Sequence, residues 1–205
     1  VVVIGSGAGG APVAAALAEA GHEVIVLEAG PRYETRDFSG DEAEMVGRLM
    51  KATRAGDSGH ELYAGACVGG STVVNDALCW PTPAEVLEQW RREHGLVGFT
   101  EAAWKPLVER VWAEIGAVPT DLAHTNKNAR ALERGAARLG WAAQPMARNV
   151  RGCVNLGLCN LGCPSGAKQS ALLTWVPRAE RAGARVIASA RATRIETAGG
   201  AVRAV

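Results

Sequence analysis

The first residues in the chain that could do chemistry are glycines, in the run Gly5-Ser6-Gly7-Ala8-Gly9-Gly10. Three of them have the spacing Gly-x-Gly-x-x-Gly, between an apolar run and an alanine-rich stretch. Gly5 permits a tight turn, Gly7 lets the backbone approach a pyrophosphate, and Gly10 lets a helix pack closely on a strand. A pyrophosphate would lie at the start of that helix, where unpaired N–H groups and the helix dipole favour an anion.

A carboxylate stands where such a site needs one. A second apolar run, residues 24–27, is followed by Glu28, eighteen residues after Gly10. A carboxylate at about this distance holds the hydroxyl pair of a ribose in dinucleotide-binding proteins. The order of strand, glycine turn, helix, strand and acid therefore predicts an α/β fold built on a dinucleotide-binding βαβ unit. The alternative is a glycine-rich turn in an ordinary α/β protein.

A second glycine cluster covers residues 65–75 and contains Gly65, Gly69, Gly70, Ser71 and Asn75. Its glycines again allow the backbone to come close to a flat or charged group, and its two polar side chains offer hydrogen bonds. The alternative interpretation is a packed loop whose glycines serve turns. The residues of this cluster alone leave both interpretations open.

Three of the five cysteines lie close together in the sequence, at the spacing Cys-x5-Cys-x3-Cys: Cys153, Cys159 and Cys163. Thiolates this close in a glycine-rich loop, with a proline after the last, suit an iron–sulfur cluster. The alternatives are a disulfide, Cys153–Cys159 or Cys159–Cys163, or buried thiols. A zinc site would need a fourth ligand, and no histidine is near in sequence. Cys67 and Cys79 are expected to be packing residues.

The composition indicates a globular chain of one or two domains. Of its 205 residues, 48% are apolar and 21% are charged, and the formal net charge is +1, so nothing calls for a nucleic acid as partner. No apolar run approaches the roughly eighteen residues of a membrane span. The chain begins at Val1, within a predicted strand and without a methionine, so we expect a fragment of a longer protein. Its compartment stays open, with the cytoplasm favoured.

Hydrophobic periodicity and helix-ending residues predict the remaining elements. Helices are expected over residues 12–20, 42–53, 83–92, 100–115, 126–139 and 172–182, the last with a break near Pro177. Short strands are expected over residues 185–188 and 192–197, and Ala198-Gly199-Gly200-Ala201 predicts a hairpin turn into a last strand. Residues 54–61 are expected to form a loop.

Taken together, the two glycine clusters resemble those in the N-terminal half of a glucose–methanol–choline oxidoreductase. Members of this family are FAD-dependent enzymes that oxidise alcohols. The resemblance depends on residues 5–10, 28–30 and 69–75, and it is extended by Trp90 and by residues 104–118 and 162–170. It covers nearly the whole chain. One departure is Cys79-Trp80-Pro81, where some members have an arginine and a proline soon after the Asn75 position.

The resemblance implies a domain organisation and a set of cofactor-binding residues. Residues 1–79 and 151–205 would form a Rossmann-like FAD-binding domain, and residues 80–150 the start of a second, largely helical, substrate-covering region. The FAD pyrophosphate would lie at the first glycine cluster, the adenosine ribose at Glu28, the ribityl part at the second cluster, the isoalloxazine near Asn75 and the adenine at the main chain of Ala192. The complete set is Gly5, Ser6, Gly7, Ala8, Gly10, Glu28, Ala29, Gly65, Gly69, Gly70, Ser71, Asn75 and Ala192.

The activity that the resemblance implies is the oxidation of an alcohol. A base would remove the hydroxyl proton while the α-hydride moves to flavin N5, and the electrons would then pass to oxygen, a quinone or an acceptor protein. The base implied is a histidine, partnered by a second histidine or an asparagine, from the C-terminal part of the family's chain. None of the four histidines matches such a motif, so we expect no catalytic residue among His22, His60, His94 and His124.

Two other interpretations stay open. The chain could be an FAD- or NAD-binding electron-transfer module without substrate chemistry, although a simple NAD domain has no need of the second glycine cluster. It could also belong to a flavin dehydrogenase that passes its electrons through an iron–sulfur cluster. The cysteine spacing is similar to that in the catalytic subunit of membrane-linked bacterial glucose dehydrogenases of the family. A different FAD enzyme, such as an amine oxidase, is disfavoured by the Gly-Gly-Ser-Thr-x-x-Asn motif.

Overall fold

The chain divides into two compact units. The structure is a computed structural model that describes residues 1–54, 56–121 and 125–205, so His124 lies outside the described residues. The first unit comprises Val1–Ala77 and Gly152–Val205, and the second comprises Leu78–Arg151. Both glycine clusters and the three neighbouring cysteines belong to the first unit.

Six α-helices and ten strands occur among the described residues. The helices are α1 (Gly10–Glu19), α2 (Glu42–Leu49), α3 (Ala84–His94), α4 (Glu101–Ile115), α5 (Lys127–Arg138) and α6 (Trp175–Arg181). The strands are β1 (Val2–Ile4), β2 (Ile25–Leu27), β3 (Met50–Arg54), β4 (Glu61–Gly65), β5 (Leu78–Cys79), β6 (Ala117–Pro119), β7 (Ala147–Asn149), β8 (Arg185–Ile187), β9 (Glu196–Ala198) and β10 (Ala201–Ala204). Within the described ranges, no helix combines the length and the apolar character that crossing a membrane requires.

A three-stranded parallel sheet lies at the centre of the first unit, in the order β1-β2-β8. Helix α1 connects β1 to β2, which is the kind of crossover that a parallel pair requires. Helices α1 and α6 pack against each other and against the sheet. Val3 and Val26 are buried, whereas Val2 and Ile4, which alternate with Val3 along β1, are about half exposed. This arrangement confirms the predicted α/β fold and its βαβ unit.

Small side chains let α1 approach both the sheet and α6. The residues that α1 buries are all alanines: Ala11, Ala14, Ala15 and Ala18. Helix α6 buries Trp175, Val176 and Ala179 in turn. Because alanine combines high helix propensity with a minimal side chain, the same residues that favour the helix also permit its close packing.

The helix expected over residues 42–53 is wrong in its second half. Helix α2 ends at Leu49, and the chain continues directly into β3, which pairs antiparallel with β4. Met45 and Leu49 supply the buried face that the periodicity detected. The backbone from Met50 onward, however, finds hydrogen-bonding partners in β4, so cross-strand pairing overrides helix propensity. The loop expected over residues 54–61 is correspondingly shorter, because β4 begins at Glu61.

Two expectations near the C-terminus also change. Helix α6 begins at Trp175 and passes through Pro177 without a break, because a proline in the first turn has no helical N–H bond to lose. The strand expected over residues 192–197 is wrong for residues 192–195, which have no regular structure. The predicted hairpin turn is confirmed: Gly199 and Gly200 join β9 to β10 with positive φ values of 58° and 77°.

The second unit contains α3, α4 and α5 and a small antiparallel sheet, β5-β7-β6. The three helices agree with the expected ranges to within two residues, and Thr100 and Asn126 cap α4 and α5 with their side-chain oxygens. Trp90, Phe99 and Trp104 form an aromatic cluster with ring centroids 5.0–6.3 Å apart. The short strands of this unit were not predicted, because two or three residues carry too little periodicity to be recognised.

The close packing of α1 on β1 makes Gly10 and Gly9 a matched pair for mutation. An ideal Cβ on Gly10 would lie 2.0 Å from the Gly5 carbonyl oxygen, a backbone atom with little freedom to move. Gly9 has a φ of −86°, and a Cβ there would meet nothing within 4 Å. We expect Gly10→Ala to destabilise the protein by about 1–3 kcal/mol, a fall in Tm of roughly 2–12 °C. Gly9→Ala should leave the Tm nearly unchanged.

The measurement is thermal unfolding followed by circular dichroism, with the two variants compared against the unaltered chain. Equal melting temperatures for Gly10→Ala and Gly9→Ala would contradict the packing described for Gly10.

Candidate functional site

The two glycine clusters meet in the first unit. An ideal Cβ on Gly70 would lie 2.9 Å from the Cα atom of Gly7, and one on Gly7 would lie 3.7 Å from the Cα atom of Gly70. Gly70 also has a positive φ of 55°, which disfavours any side chain. The backbones of the two clusters therefore touch at this point, although 63 residues separate Gly7 from Gly70.

Glu28 lies beside this contact and is buried, with 8% of its surface exposed. Its Oε2 atom accepts hydrogen bonds from the Ser6 N–H (2.9 Å) and the Ser6 hydroxyl (2.7 Å), and its Oε1 atom accepts one from the Gly30 N–H (2.8 Å). A carboxylate offers about four lone-pair positions. With three of them occupied, Glu28 retains one acceptor position, on Oε1.

Ser6 joins the first glycine cluster to the second through its side chain. Its hydroxyl donates to Glu28 and accepts the N–H of Gly69 at 3.0 Å. Ser6 is completely buried. The residue therefore contributes to the site from inside the protein, and its hydroxyl does not line the site's surface.

Packing explains several glycines of the second cluster. A Cβ on Gly65 would lie 2.4 Å from the carbonyl carbon of Gly70, and one on Gly69, where φ is 95°, would lie 2.8 Å from Val73 Cγ2. The Ser71 hydroxyl accepts the N–H of Gly65 at 3.0 Å. Close packing therefore explains why Gly65 and Gly69 are glycines, and Gly70 is the glycine at which the two clusters touch.

Gly30 is a close-packing residue that the expected site set omitted. A Cβ there would lie 2.1 Å from the carbonyl oxygen of Ala66, so the turn after β2 lies directly against the second glycine cluster. The sequence feature that could have identified Gly30 is its position two residues after the acid, in Glu28-Ala29-Gly30.

The remaining expected residues lie at the edges of this region. Ala8, Ala29, Ser71 and Asn75 are exposed, and the Asn75 side chain accepts the N–H of Ala77 at 3.2 Å. The chain after β8 returns to the acid, where the Ala190 N–H donates to the Glu28 carbonyl at 2.8 Å. Ala192 follows two residues later, in the irregular segment that replaces the expected strand.

Lys168 is a buried residue beside the site whose structural role sequence reasoning missed. Its side chain is 1% exposed, and its ammonium donates to three backbone carbonyls, those of Val73 (2.6 Å), Asn75 (2.8 Å) and Cys159 (2.5 Å). These three bonds use all of its N–H donors. Burial lowers the pKa of Lys168 to about 8. The ammonium thus ties the end of the second glycine cluster to the cysteine loop, and a lone lysine in the sequence carries no signal for this role.

Two of the three neighbouring cysteines accept backbone N–H hydrogen bonds at their sulfur atoms. The Cys163 sulfur accepts the N–H of Lys168 at 3.3 Å, and the Cys153 sulfur accepts the N–H of Asn155 at 3.5 Å. None of the five cysteines, all within the described ranges, forms a disulfide. No three His, Cys, Asp or Glu side chains of the described part are grouped to hold a metal ion. The iron–sulfur cluster therefore stays a prediction without structural support.

Two of the thiols have pKa values shifted in opposite directions. Burial raises the pKa of Cys67 to about 12, which makes it an inert packing residue. For Cys163, burial acts to raise the pKa, but the N–H groups of Lys168 and Ala167 and the Ser165 hydroxyl lower it overall.

A family model described as "GMC oxidoreductase" matches residues 5–205. The chain belongs to this family. It is 39% identical over 199 residues to an uncharacterised GMC-type oxidoreductase of Mycobacterium tuberculosis. The alignment covers 95% of this chain and 32% of that protein. The chain is 34% identical over 196 residues to a long-chain-alcohol oxidase of Arabidopsis thaliana, with 94% of this chain and 26% of that one covered. The chain thus spans about a third or less of the length of these relatives, and the resemblance seen in the sequence is confirmed.

Solved structures show the same fold. Pyridoxine 4-oxidase from Mesorbium loti superposes with a TM-score of 0.73 at 19% identity, covering 98% of this chain and 44% of that one. An Aspergillus oryzae formate oxidase variant, studied for FAD modification, superposes with a TM-score of 0.58 at 16% identity, covering 95% and 39%. The Rossmann-like arrangement of the first unit agrees with both.

Replacement of Lys168 tests its role in holding the second glycine cluster. Lys168→Met keeps an apolar stem of similar length but removes the donor to three carbonyl oxygens. A buried polar group without a partner costs about 1–3 kcal/mol, so we expect a clearly lower Tm. Lys51→Met, at an exposed position on β3, is the control and should leave the Tm unchanged. Equal melting temperatures for the two variants would show that the three hydrogen bonds contribute nothing to stability.

Proposed function

We propose that the chain is the FAD-binding part of an oxidoreductase that acts on the CH–OH group of an alcohol by hydride transfer to flavin N5. The observation that carries this proposal is the contact between Gly7 and Gly70 beside the buried Glu28. Family membership and the activities for which similar proteins are named, among them long-chain-alcohol oxidase and pyridoxine 4-oxidase, support an alcohol as substrate.

The residues present fit FAD. Helix α1 begins at Gly10 with no side-chain cap and no acidic residue in its first turn, so its N-terminus is suited to a pyrophosphate. Glu28 retains one acceptor position for a ribose hydroxyl. The second glycine cluster brings further backbone to the same place, which a simple NAD domain does not need. These features favour FAD over the alternative of an NAD-binding module.

The chain's own residues position and orient the cofactor in this proposal. Glu28 accepts a ribose hydroxyl, the N-terminus of α1 binds the pyrophosphate, and the second glycine cluster lies along the ribityl part. FAD, when bound, supplies the hydride acceptor. The base that removes the hydroxyl proton is expected from elsewhere in the whole protein, and the final electron acceptor is oxygen, a quinone or an acceptor protein.

The absorption spectrum of the full-length protein, purified without oxygen, tests the proposal. We expect the bands of oxidised flavin, with FAD recovered after denaturation. Glu28→Gln removes the charged acceptor, and a hydrogen bond to a charged group contributes about 1.5–3 kcal/mol, so FAD affinity should fall roughly 10- to 150-fold. Glu44→Gln is the control, because Glu44 also accepts a serine hydroxyl but is exposed. A protein that binds no flavin would overturn the proposed function.

Iron and acid-labile sulfide assays on the same sample test the cysteine loop. Because the three thiols are not grouped to hold a metal in the described residues, we expect flavin without iron. Stoichiometric iron and sulfide that disappear in Cys159→Ser would instead establish an iron–sulfur cluster. Such a cluster would favour an enzyme that passes electrons from the flavin to an acceptor protein.

A further inference from the structure

Ser6 hydrogen-bonds both to the acid, Glu28, and to Gly69 of the second glycine cluster. Its N–H and its hydroxyl both donate to Glu28 Oε2, at 2.9 and 2.7 Å, and its hydroxyl oxygen accepts the N–H of Gly69 at 3.0 Å. Because the Gly69 N–H already points at the oxygen, the single hydroxyl hydrogen is directed to Glu28. The donor and acceptor directions of the Ser6 side chain are thus determined by its surroundings.

The position of Ser6 excludes a direct role in ligand binding for its hydroxyl. The residue is 0% exposed, and its only hydroxyl hydrogen is used by Glu28. The groups that it holds, however, are the expected ribose acceptor and the first glycine of the Gly69-Gly70 pair. These two groups belong to opposite halves of the dinucleotide site.

We propose that Ser6 is a positioning residue that couples the adenosine half of the FAD site to the ribityl half. Its hydroxyl sets the position of the second glycine cluster relative to Glu28, so that both halves are correctly placed before FAD binds. This inference rests on the proposed function, since it concerns the same site.

The contacts of Ser6 predict an unequal effect on the two halves when its hydroxyl is removed. In Ser6→Ala, Glu28 keeps the N–H of residue 6 and the N–H of Gly30. Gly69, by contrast, loses its hydrogen bond to Oγ, the bond that ties it to the first cluster. The adenosine half should therefore stay nearly intact, while the ribityl half loses its alignment.

The test compares the affinities of the apoprotein for FAD and for ADP, which lacks the ribityl and flavin groups, by calorimetric titration of the full chain. We expect Ser6→Ala to weaken FAD binding roughly tenfold or more and ADP binding less than about threefold, from the energies of buried hydrogen bonds. Ser39→Ala is the matched control, since it removes another serine-to-glutamate hydrogen bond (2.5 Å, to Glu44) at an exposed position. It should change neither affinity.

A second variant keeps the proposal testable if Ser6→Ala does not fold. Ser6→Cys nearly preserves the side-chain volume but replaces the hydroxyl by a weaker donor and acceptor. It should show the same preferential loss of FAD affinity, to a smaller extent. Circular dichroism of each apoprotein confirms that folded protein is being titrated.

Three outcomes would overturn the inference. Ser6→Ala that binds FAD as tightly as the unaltered chain would show that the hydroxyl positions nothing. Equal losses for FAD and ADP would show a general effect on the fold in place of coupling between the two halves. If the unaltered chain binds no FAD, the proposed function is overturned together with this inference. The first two outcomes, by contrast, overturn the inference and leave the proposed function intact.

Discussion

The buried carboxylate of Glu28 is the constraint on which the rest of the site depends. A carboxylate taken out of water is strongly destabilising unless hydrogen-bond donors surround it. Those donors come from Ser6 and Gly30, so the turn after β1 and the turn after β2 must converge on the acid. Once Ser6 is held in this way, its hydroxyl oxygen is placed to accept the N–H of Gly69, and the second glycine cluster is brought to the first.

Two kinds of interaction then hold the second cluster in place. Close backbone approach is possible only because side chains are missing, as at Gly30, Gly65 and Gly70, where a Cβ would come within 3 Å of other backbone atoms. The buried ammonium of Lys168 binds the carbonyls of Val73 and Asn75 at the far end of the cluster. Ser6 thus tethers the middle of the cluster, at Gly69, and Lys168 tethers its end.

Local patterns predicted the helices and the βαβ unit, but they missed the strands β3 to β7, where pairing between strands decides the structure. The βαβ unit and the helices α3, α4 and α5 have periodicity and capping residues within their own segments. Residues 50–53 have helical periodicity as well, but pairing with β4 makes them a strand. The spacing of the three cysteines suits a metal cluster, but their side chains are not grouped to hold a metal in the described structure. Spacing shows that residues are near in the chain, whereas side-chain direction depends on the surrounding fold.

The sequence by itself determined the glycine turn, the alanine-rich helix, the acid after the second strand and the family to which the chain belongs. All of these are encoded in residue type and short-range spacing. Only the tertiary structure decided that Gly7 touches Gly70, that Glu28 has one acceptor position left, and that Ser6 and Lys168 tether the second cluster. The partners in the tethering hydrogen bonds are separated by 63 residues for Ser6 and Gly69 and by 95 for Lys168 and Val73. Contacts at such separations arise from packing of the whole unit, and no local pattern records them.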